Sequence, residues 1–577
     1  MMRPEVRGFS QDQFRGRLRV VVAGLVLLTV ALLGRAVDLQ LLDDGFLEGQ
    51  GDARFTRLAK LSANRGSIYD RNGEALAAST PVDTVWASPP EVMKARDQIP
   101  RLAEALNRDP KWLTEVITSN LDREFVYLVR HMRPSDAAQV AELGIPGIYL
   151  LREYQRFYPA VEVTGHLLGF TKKYDDIGQE GLELAYDRWL GAEAGVKRVI
   201  QDRYGRTVED VESIRAPRDG TDLVTSIDLR IQYLAYRELK AAVQERHAKA
   251  GSVVVLDVET GEVLAMVNQP AYNPNDRDQV APARYRNRAV TDIFEPGSSI
   301  KPFIAAAAIK SGRYHPDTIM DTSPVRVGAK VFQDAHALGT VPLTTVIAES
   351  SNAGMARMAL TLEPESIWHT LTAFGLGQVT GSGFPGESAG LLNDPAHWKR
   401  IGTASISFGY TLAVTPLQLA HAYSIIGSGG ISRPVTLRRV DGAVEGQRVI
   451  DERVAREVLQ MMEAVVAQEG GTGGRAALAG YRVAGKTGTA WKAAGGYGTD
   501  ENRRYMATFG GVVPASRPKL AAIVVIDEPA GKTYYAGDVA APVFANVMAG
   551  ALRLMGVPPD GLDRLPRATL TQAKREP

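Results

Sequence analysis

Glu295-Pro296-Gly297-Ser298-Ser299-Ile300-Lys301-Pro302 is the stretch on which the reading of this chain turns. Glu295-Pro296-Gly297 reads as a turn. Ile300, Phe303, Ile304, Ala307 and Ala308 then recur at helical spacing. Pro302 fits only in the first turn of such a helix, where backbone N–H groups have no intrahelical partner. Positions i and i+3 share a face, so a helix opening here lets Ser298 meet Lys301. A serine hydroxyl is a poor nucleophile at neutral pH and needs a neighbouring base.

Two further motifs follow in order, Ser350-Ser351-Asn352 and Lys486-Thr487-Gly488. Each short pattern also occurs by chance in this chain. Ser516-Arg517-Pro518-Lys519 repeats the first, Ser62-Ala63-Asn64 the second and Lys310-Ser311-Gly312 the third. Context separates them: Pro518 spoils a helical pair, and Lys310 ends a helix instead of lying on a strand. The ordered set in suitable settings is the informative signal.

On these residues the chain resembles a class B penicillin-binding protein, specifically the division-specific (septal) peptidoglycan D,D-transpeptidase of Gram-negative bacteria. The resemblance runs from about Ala63 to Pro559. It includes Arg65-Gly66-Ser67-Ile68-Tyr69-Asp70-Arg71-Asn72-Gly73, Arg156-Phe157-Tyr158-Pro159 and Gly178-Gln179-Glu180-Gly181-Leu182-Glu183. Asn352 resembles the division type, where the elongation-type relative carries Asp.

The 577 residues allow two or more domains. With 67 Lys+Arg against 66 Asp+Glu, no nucleic-acid footprint is expected. Absence of cysteine excludes disulfides, thiolate catalysis and Cys-based zinc sites. The eight histidines are scattered, so neither a metal site nor a Ser-His-Asp triad at Ser298 is expected. No cofactor is expected.

Residues 20–37 form an apolar run preceded by Arg3, Arg7, Arg15, Arg17 and Arg19 and followed by Asp38, Asp43, Asp44, Glu48 and Asp52. This polarity places residues 1–19 in the cytoplasm, 20–37 as a transmembrane anchor and the rest outside. A cleaved signal peptide is the alternative, with Gly34-Arg35-Ala36 as a marginal small-x-small site. Residues 38–220 alternate strand-like and helical stretches. Arg152, Arg156 and Glu183 are candidates for catalysis, but charges in such a module more often brace packing, and they are read as bracing charges. Ala216-Pro217-Arg218-Asp219-Gly220 marks a boundary.

Residues 221–560 carry the chemistry. Asp228 can cap a helix with Ile231, Leu234, Ala235, Leu239, Ala242 and Val243 on its apolar face. A hairpin is expected over 251–267 around Thr260-Gly261, strands over 505–513 and 520–526, and a last helix ending at Gly556. The expected class is α+β, an antiparallel sheet packed between helices, as in the penicillin-binding transpeptidase fold, behind an elongated α+β N-terminal module. The polar, basic residues 561–577 are expected to be disordered.

A rival reading comes from Gly480 to Thr487, which matches G-x-x-x-x-G-K-[ST], with Ile523-Val524-Val525-Ile526-Asp527 as a metal-holding strand. It suggests a phosphate-loop ATPase. Against it, such a loop must lead into a helix, whereas Thr489-Ala490-Trp491 and Gly495-Gly496 read as strand and loop, and Tyr481-Arg482-Val483 suits a strand. A non-catalytic division scaffold is the third reading; it leaves the ordered trio unexplained.

The resemblance implies catalytic roles for Ser298, Lys301, Ser350, Asn352 and Lys486. It implies substrate binding by Thr487, Gly488, Thr489 and Tyr410, and an oxyanion hole from the Ser298 and Thr489 amides. Tyr534 and Tyr535 are candidates for the cleft wall or for ordinary packing. The implied partners are stem peptides, β-lactams, a membrane-embedded glycan polymerase and other division proteins.

Overall fold

The computed structural model describes residues 11–37, 56–61, 63–201, 207–492, 504–531 and 533–561. The tail beyond 561, Ser62 and the acidic residues that follow the apolar run lie outside them.

The helix Gln11–Val37 begins nine residues before the expected apolar run, because backbone hydrogen bonding continues through the arginines. Its 23-residue stretch Arg15–Val37 is apolar enough to cross a membrane and is not buried against the protein. At 1.5 Å per residue it spans about 34 Å, enough for a hydrocarbon core of about 30 Å.

Two sheets organise the chain up to about residue 225. Thr56–Leu61, Gly195–Gln201 and Thr207–Arg215 form one. The long strand Ala75–Ala87 centres the other, pairing with Ile68–Tyr69, Val126–Met132 and Ile148–Phe157, while Leu223–Val224 joins at Ile68–Tyr69. Buried charges brace this part. Glu183 accepts from Arg65 Nε at 2.7 Å and from Arg156 Nε at 2.6 Å, all three side chains being sealed from solvent. Arg152, by contrast, pairs with Asp83 while itself half exposed.

The Arg65–Gly73 signature also couples the two parts. Asp70 closes its own turn by accepting from the Asn72 and Glu74 amides and takes the Leu229 N–H at 3.1 Å. That contact lands on the first turn of helix Leu229–Glu245, which Asp228 caps through Arg230 N–H.

The second part is built on a five-stranded antiparallel sheet. Its order is Val263–Gln269, Ala250–Asp257, Leu520–Asp527, Tyr505–Val513, Ala484–Trp491. Alternate side chains on a strand face opposite sides, and both sides are apolar. Val253, Val255, Val524 and Ile526 pack with helices Leu229–Glu245 and Ala541–Leu554. Val254, Leu256, Ile523 and Val525 pack with Lys301–Lys310, Pro416–Gly427 and Glu452–Ala467. Burial on both faces explains the unbroken Val/Ile/Leu runs, and places Ala484–Trp491 at the open edge of the sheet.

The expected strand at Tyr481-Arg482-Val483 is absent. These residues lie in a loop with one isolated bridge, Leu478 to Tyr481. Gly480 at φ +80° turns the chain there, and the Tyr481 hydroxyl donates to the Val557 carbonyl.

Candidate active site

Ser298 sits in a single 3₁₀ turn, Gly297–Ile300, which passes directly into the α-helix Lys301–Lys310. In a 3₁₀ turn residues three apart eclipse, so Ser298 and Lys301 share a face, and Pro302 falls in the first α-turn. The edge strand Ala484–Trp491 runs against this turn. A side chain at Gly488 would lie 2.6 Å from the Pro296 carbonyl oxygen, so only glycine permits the approach. Gly409 has the same function on the other side: at φ +88°, it leaves no room for a Cβ against the Gly297 backbone.

The three motifs converge. Lys301 Nζ contacts the Ser350 carbonyl at 2.6 Å, Ser350 Oγ at 3.0 Å and Asn352 Oδ1 at 2.9 Å. Among the described residues its hydrogen bonds go to these partners and none to Ser298. Both lysines are fully buried (0 % exposed). Burial holds Lys301 well below the ordinary lysine value; Lys486 adds repulsion, and Asp334 pulls the other way. Burial alone pushes Lys486 down to about 7.

A neutral amine has two protons and one lone pair. The two carbonyl oxygens must receive the protons, so the Ser350 hydroxyl then donates to the Lys301 lone pair. The neutral state therefore links Lys301 and Ser350 as a proton path.

Lys486 lies mid-strand, with Nζ 3.2 Å from the Thr487 carbonyl and 3.3 Å from Thr487 Oγ1. Thr487 Oγ1 is 2.7 Å from Thr472 Oγ1, and Thr489 Oγ1 accepts the Ala536 N–H. Thr489 thus keeps its own proton to donate. A phosphate loop must open a helix at its lysine, whereas Lys486 is buried in the middle of the strand Ala484–Trp491, and Asp527 is engaged by Lys492. This overturns the phosphate-loop reading.

Two of the three decoys are accounted for as well; Ser62 lies outside the described residues. Ser516 bonds Asp560 while Lys519 pairs with Glu259, and Lys310 closes a helix.

A cleft of about 720 Å³ opens over Ser298, with Ser350 and Asn352 on one wall and Thr487, Thr489 and Tyr535 on the other. Tyr410 packs edge-on against Phe408 and accepts the Trp491 N–H at 3.4 Å, at the end of the edge strand. Tyr534 stacks on Tyr505 at 3.8 Å and leans on Tyr535, so these two belong to one aromatic group.

Four contributors had no motif. Asp334 accepts from the Asn352 and Ala353 amides. Thr472 meets Thr487, Tyr423 reaches the Ser299 carbonyl, and Arg475 pairs with Asp538 beside the cleft. Of these only Thr472 carried a sequence signal, the glycine run Gly470-Gly471-Thr472-Gly473-Gly474.

Comparison with known proteins agrees with this architecture. Residues 251–549 match the penicillin binding protein transpeptidase domain, and residues 60–225 match the penicillin-binding protein dimerisation domain. The chain is 43% identical to the peptidoglycan D,D-transpeptidase FtsI of Escherichia coli over 548 residues, covering 94% of this chain and 92% of that protein. It is 40% identical over 560 residues to a probable peptidoglycan D,D-transpeptidase, PbpC, of Pseudomonas aeruginosa, covering 96% and 98%.

Among solved structures, a Bifidobacterium adolescentis peptidoglycan synthetase matches with a TM-score of 0.68 at 25% identity, over 88% of this chain and 98% of that one. The transpeptidase domain of Burkholderia pseudomallei penicillin-binding protein 3 matches with a TM-score of 0.53 at 41% identity, over 58% and 97%. With a serine–lysine site of this geometry on a transpeptidase domain behind a dimerisation domain, the chain belongs to the class B penicillin-binding proteins, the FtsI-like peptidoglycan D,D-transpeptidases.

Proposed function

We infer that this chain cross-links septal peptidoglycan during cell division through an acyl-enzyme on Ser298. The observation that carries the reading is the contact of buried Lys301 with Ser350 and Asn352, which line the same cleft as Ser298.

Ser298 Oγ attacks the carbonyl between the two terminal D-alanines of a stem peptide. Lys301 takes the hydroxyl proton as the Oγ–C bond forms. When the C–N bond breaks, that proton passes through Ser350 to the departing D-alanine amine. Asn352 holds Lys301 and the substrate amide. Lys486, with the Thr487 and Thr489 hydroxyls, receives the terminal carboxylate, and Gly488 lets the strand lie close to the serine. The Ser298 and Thr489 amides receive the developing oxyanion. Tyr410, at the end of the edge strand, meets the substrate chain in this reading. An amine from a neighbouring stem peptide then attacks the ester carbon. As the new C–N bond forms the C–Oγ bond breaks, and the amine's proton returns along the same path to Ser298 Oγ.

A β-lactam presents a strained amide in place of the peptide end and stops at the ester. The division at residue 220 into an N-terminal module and a 221–560 transpeptidase domain belongs to the same reading. So does a single-pass anchor at 20–37 in the inner membrane, with the catalytic part periplasmic at the division site. A membrane-embedded glycan polymerase and other division proteins are the proposed partners. Tethering polymerase and transpeptidase together raises their effective concentration on one nascent strand.

Intact mass after incubation with a labelled penicillin, followed by peptide mapping, tests the reading. One adduct on Ser298, lost in Ser298→Ala, is expected. An adduct that maps to Ser299 or Ser516 overturns the assignment.

A further inference from the structure

We propose that Asp334 is a positioning residue of the acyl-transfer site, holding Ser350 and Asn352 against Lys301 from a loop outside all three motifs. The inference rests on the reading of Lys301 as the base.

Asp334 lies between the short strands Lys330–Phe332 and Thr340–Pro342. Its Oδ1 accepts the backbone N–H of Asn352 at 2.6 Å and of Ala353 at 3.0 Å, and its Oδ2 accepts the Ser351 hydroxyl at 2.5 Å. These amides open the helix Asn352–Ala359, where first-turn N–H groups lack partners and a carboxylate is favoured. A helix cap alone would explain that much, but Ser351 already caps this helix through Gly354 N–H.

Two observations carry the role further. Ser350 sits at φ +65°, a left-handed conformation that a serine rarely adopts and that persists only when its surroundings impose it. In this conformation both its carbonyl and its hydroxyl lie within hydrogen-bond distance of Lys301 Nζ. The next residue is tied on both sides. Ser351 N–H donates to the Val346 carbonyl, and Asp334 grips its hydroxyl and the Asn352 amide.

Asp334 also lines the same cleft as Ser298. Its negative charge partly offsets the effect of burial on Lys301, with Lys486 opposing from the edge strand. Glu349, His336, Arg475, Tyr535 and Asp538 are the other titratable or charged groups on that cleft.

The pH profile of penicillin acylation, measured on the full-length chain in detergent, tests the proposal. In Asp334→Asn one oxygen remains for the two amides, while the charge and the acceptor for Ser351 are lost. Acylation is expected to slow by roughly 10- to 100-fold, the scale of a small misplacement of reacting groups. Its acid limb is expected to move to lower pH, because losing a nearby negative charge lets Lys301 shed its proton more readily. Ser351→Ala, which keeps the charge, is expected to slow acylation with the limb unmoved.

A wild-type rate in Asp334→Asn overturns the proposal, and so does a slow rate with an unmoved limb, which leaves only a helix cap. Should Asp334→Asn not accumulate, a wild-type rate in Ser351→Ala overturns it. Lys301→Met separates the two readings. Normal acylation there overturns the base role, and with it Asp334's purpose; acylation lost there leaves Asp334 to be judged by its own variants.

Discussion

The Tyr423 hydroxyl donates to the Ser299 carbonyl at 2.8 Å across 124 residues of sequence. Tyr423 is among the largest fully buried side chains, edge-on to Phe303 at 5.3 Å, so the turn carrying Ser298 is pinned from the helix Pro416–Gly427. The nucleophile is thus held on one side by Tyr423 and on the other by the close approach of Gly488.

Tyr423→Phe keeps the ring and leaves the Ser299 carbonyl without its partner. A buried acceptor so stranded costs about 1–3 kcal/mol. The variant is expected to melt several degrees lower and to acylate with penicillin more slowly. Thermal melts alongside stopped-flow acylation check this. Unchanged acylation in a destabilised variant would show that the turn holds its shape without the bond.

The two buried lysines set the pH dependence. Lys301 must be neutral to accept a proton, and Lys486 charged to attract a carboxylate. The acylation efficiency of a carboxylate-bearing β-lactam is therefore expected to rise as Lys301 deprotonates and to fall as Lys486 does, with the descending limb near pH 7. Lys486→Met should remove that descending limb, and a pH-rate profile decides.

Stability carries the opposite signature. Lys486 falls from 10.5 to about 7 on folding, so between those values the unfolded chain binds more protons than the folded one. Stability then rises with pH across the window, and the penalty is complete below it. Urea unfolding of Lys486→Met between pH 6 and 10 is expected to lose much of that slope. A slope identical to wild type would mean that Lys486 stays charged in the fold.

Glu183 is the shared acceptor of two buried guanidinium groups, Arg65 and Arg156. Removing Glu183 strands the buried Arg156 charge, at about 3–5 kcal/mol, while Arg65 keeps Asp187. Glu183→Ala is expected to melt the N-terminal part early while the surviving 221–560 part still reacts with penicillin. Differential scanning calorimetry with and without bound penicillin separates the two. A single unshifted transition contradicts the bracing role.

What could be read from the sequence is what depends on local pattern. Asp228 caps its helix, Gly261 turns the hairpin and Lys486 lies on a strand, because capping chemistry, positive φ and apolar runs act over a few residues. Tyr481-Arg482-Val483 misled because it has strand composition but is held in a loop by Gly480 and the Val557 carbonyl. Asp334 and Tyr423 were illegible for another reason. An aspartate in a loop and a tyrosine in an apolar helix have no local signature, and each acts only through residues brought to it by the fold.

The helix Gln11–Val37 gives the last prediction. Its apolar run begins at Val20, after Arg15, Arg17 and Arg19, which favour the cytoplasmic side, and the stretch Arg15–Val37 is exposed along its length. A chain that begins at Asp38 lacks it but keeps every residue of the serine–lysine site, which lies beyond residue 220. That shortened chain is expected to stay in the soluble fraction and to acylate with penicillin at the wild-type rate. If the proposed glycan polymerase partner is right, the full-length chain is expected to co-purify with it from detergent and the shortened chain to lose much of that association, since the two would no longer share a membrane contact. Full retention of the polymerase would assign the association to the N-terminal module alone. A mature N-terminus at Val37 would mean that the helix is a leader and not an anchor.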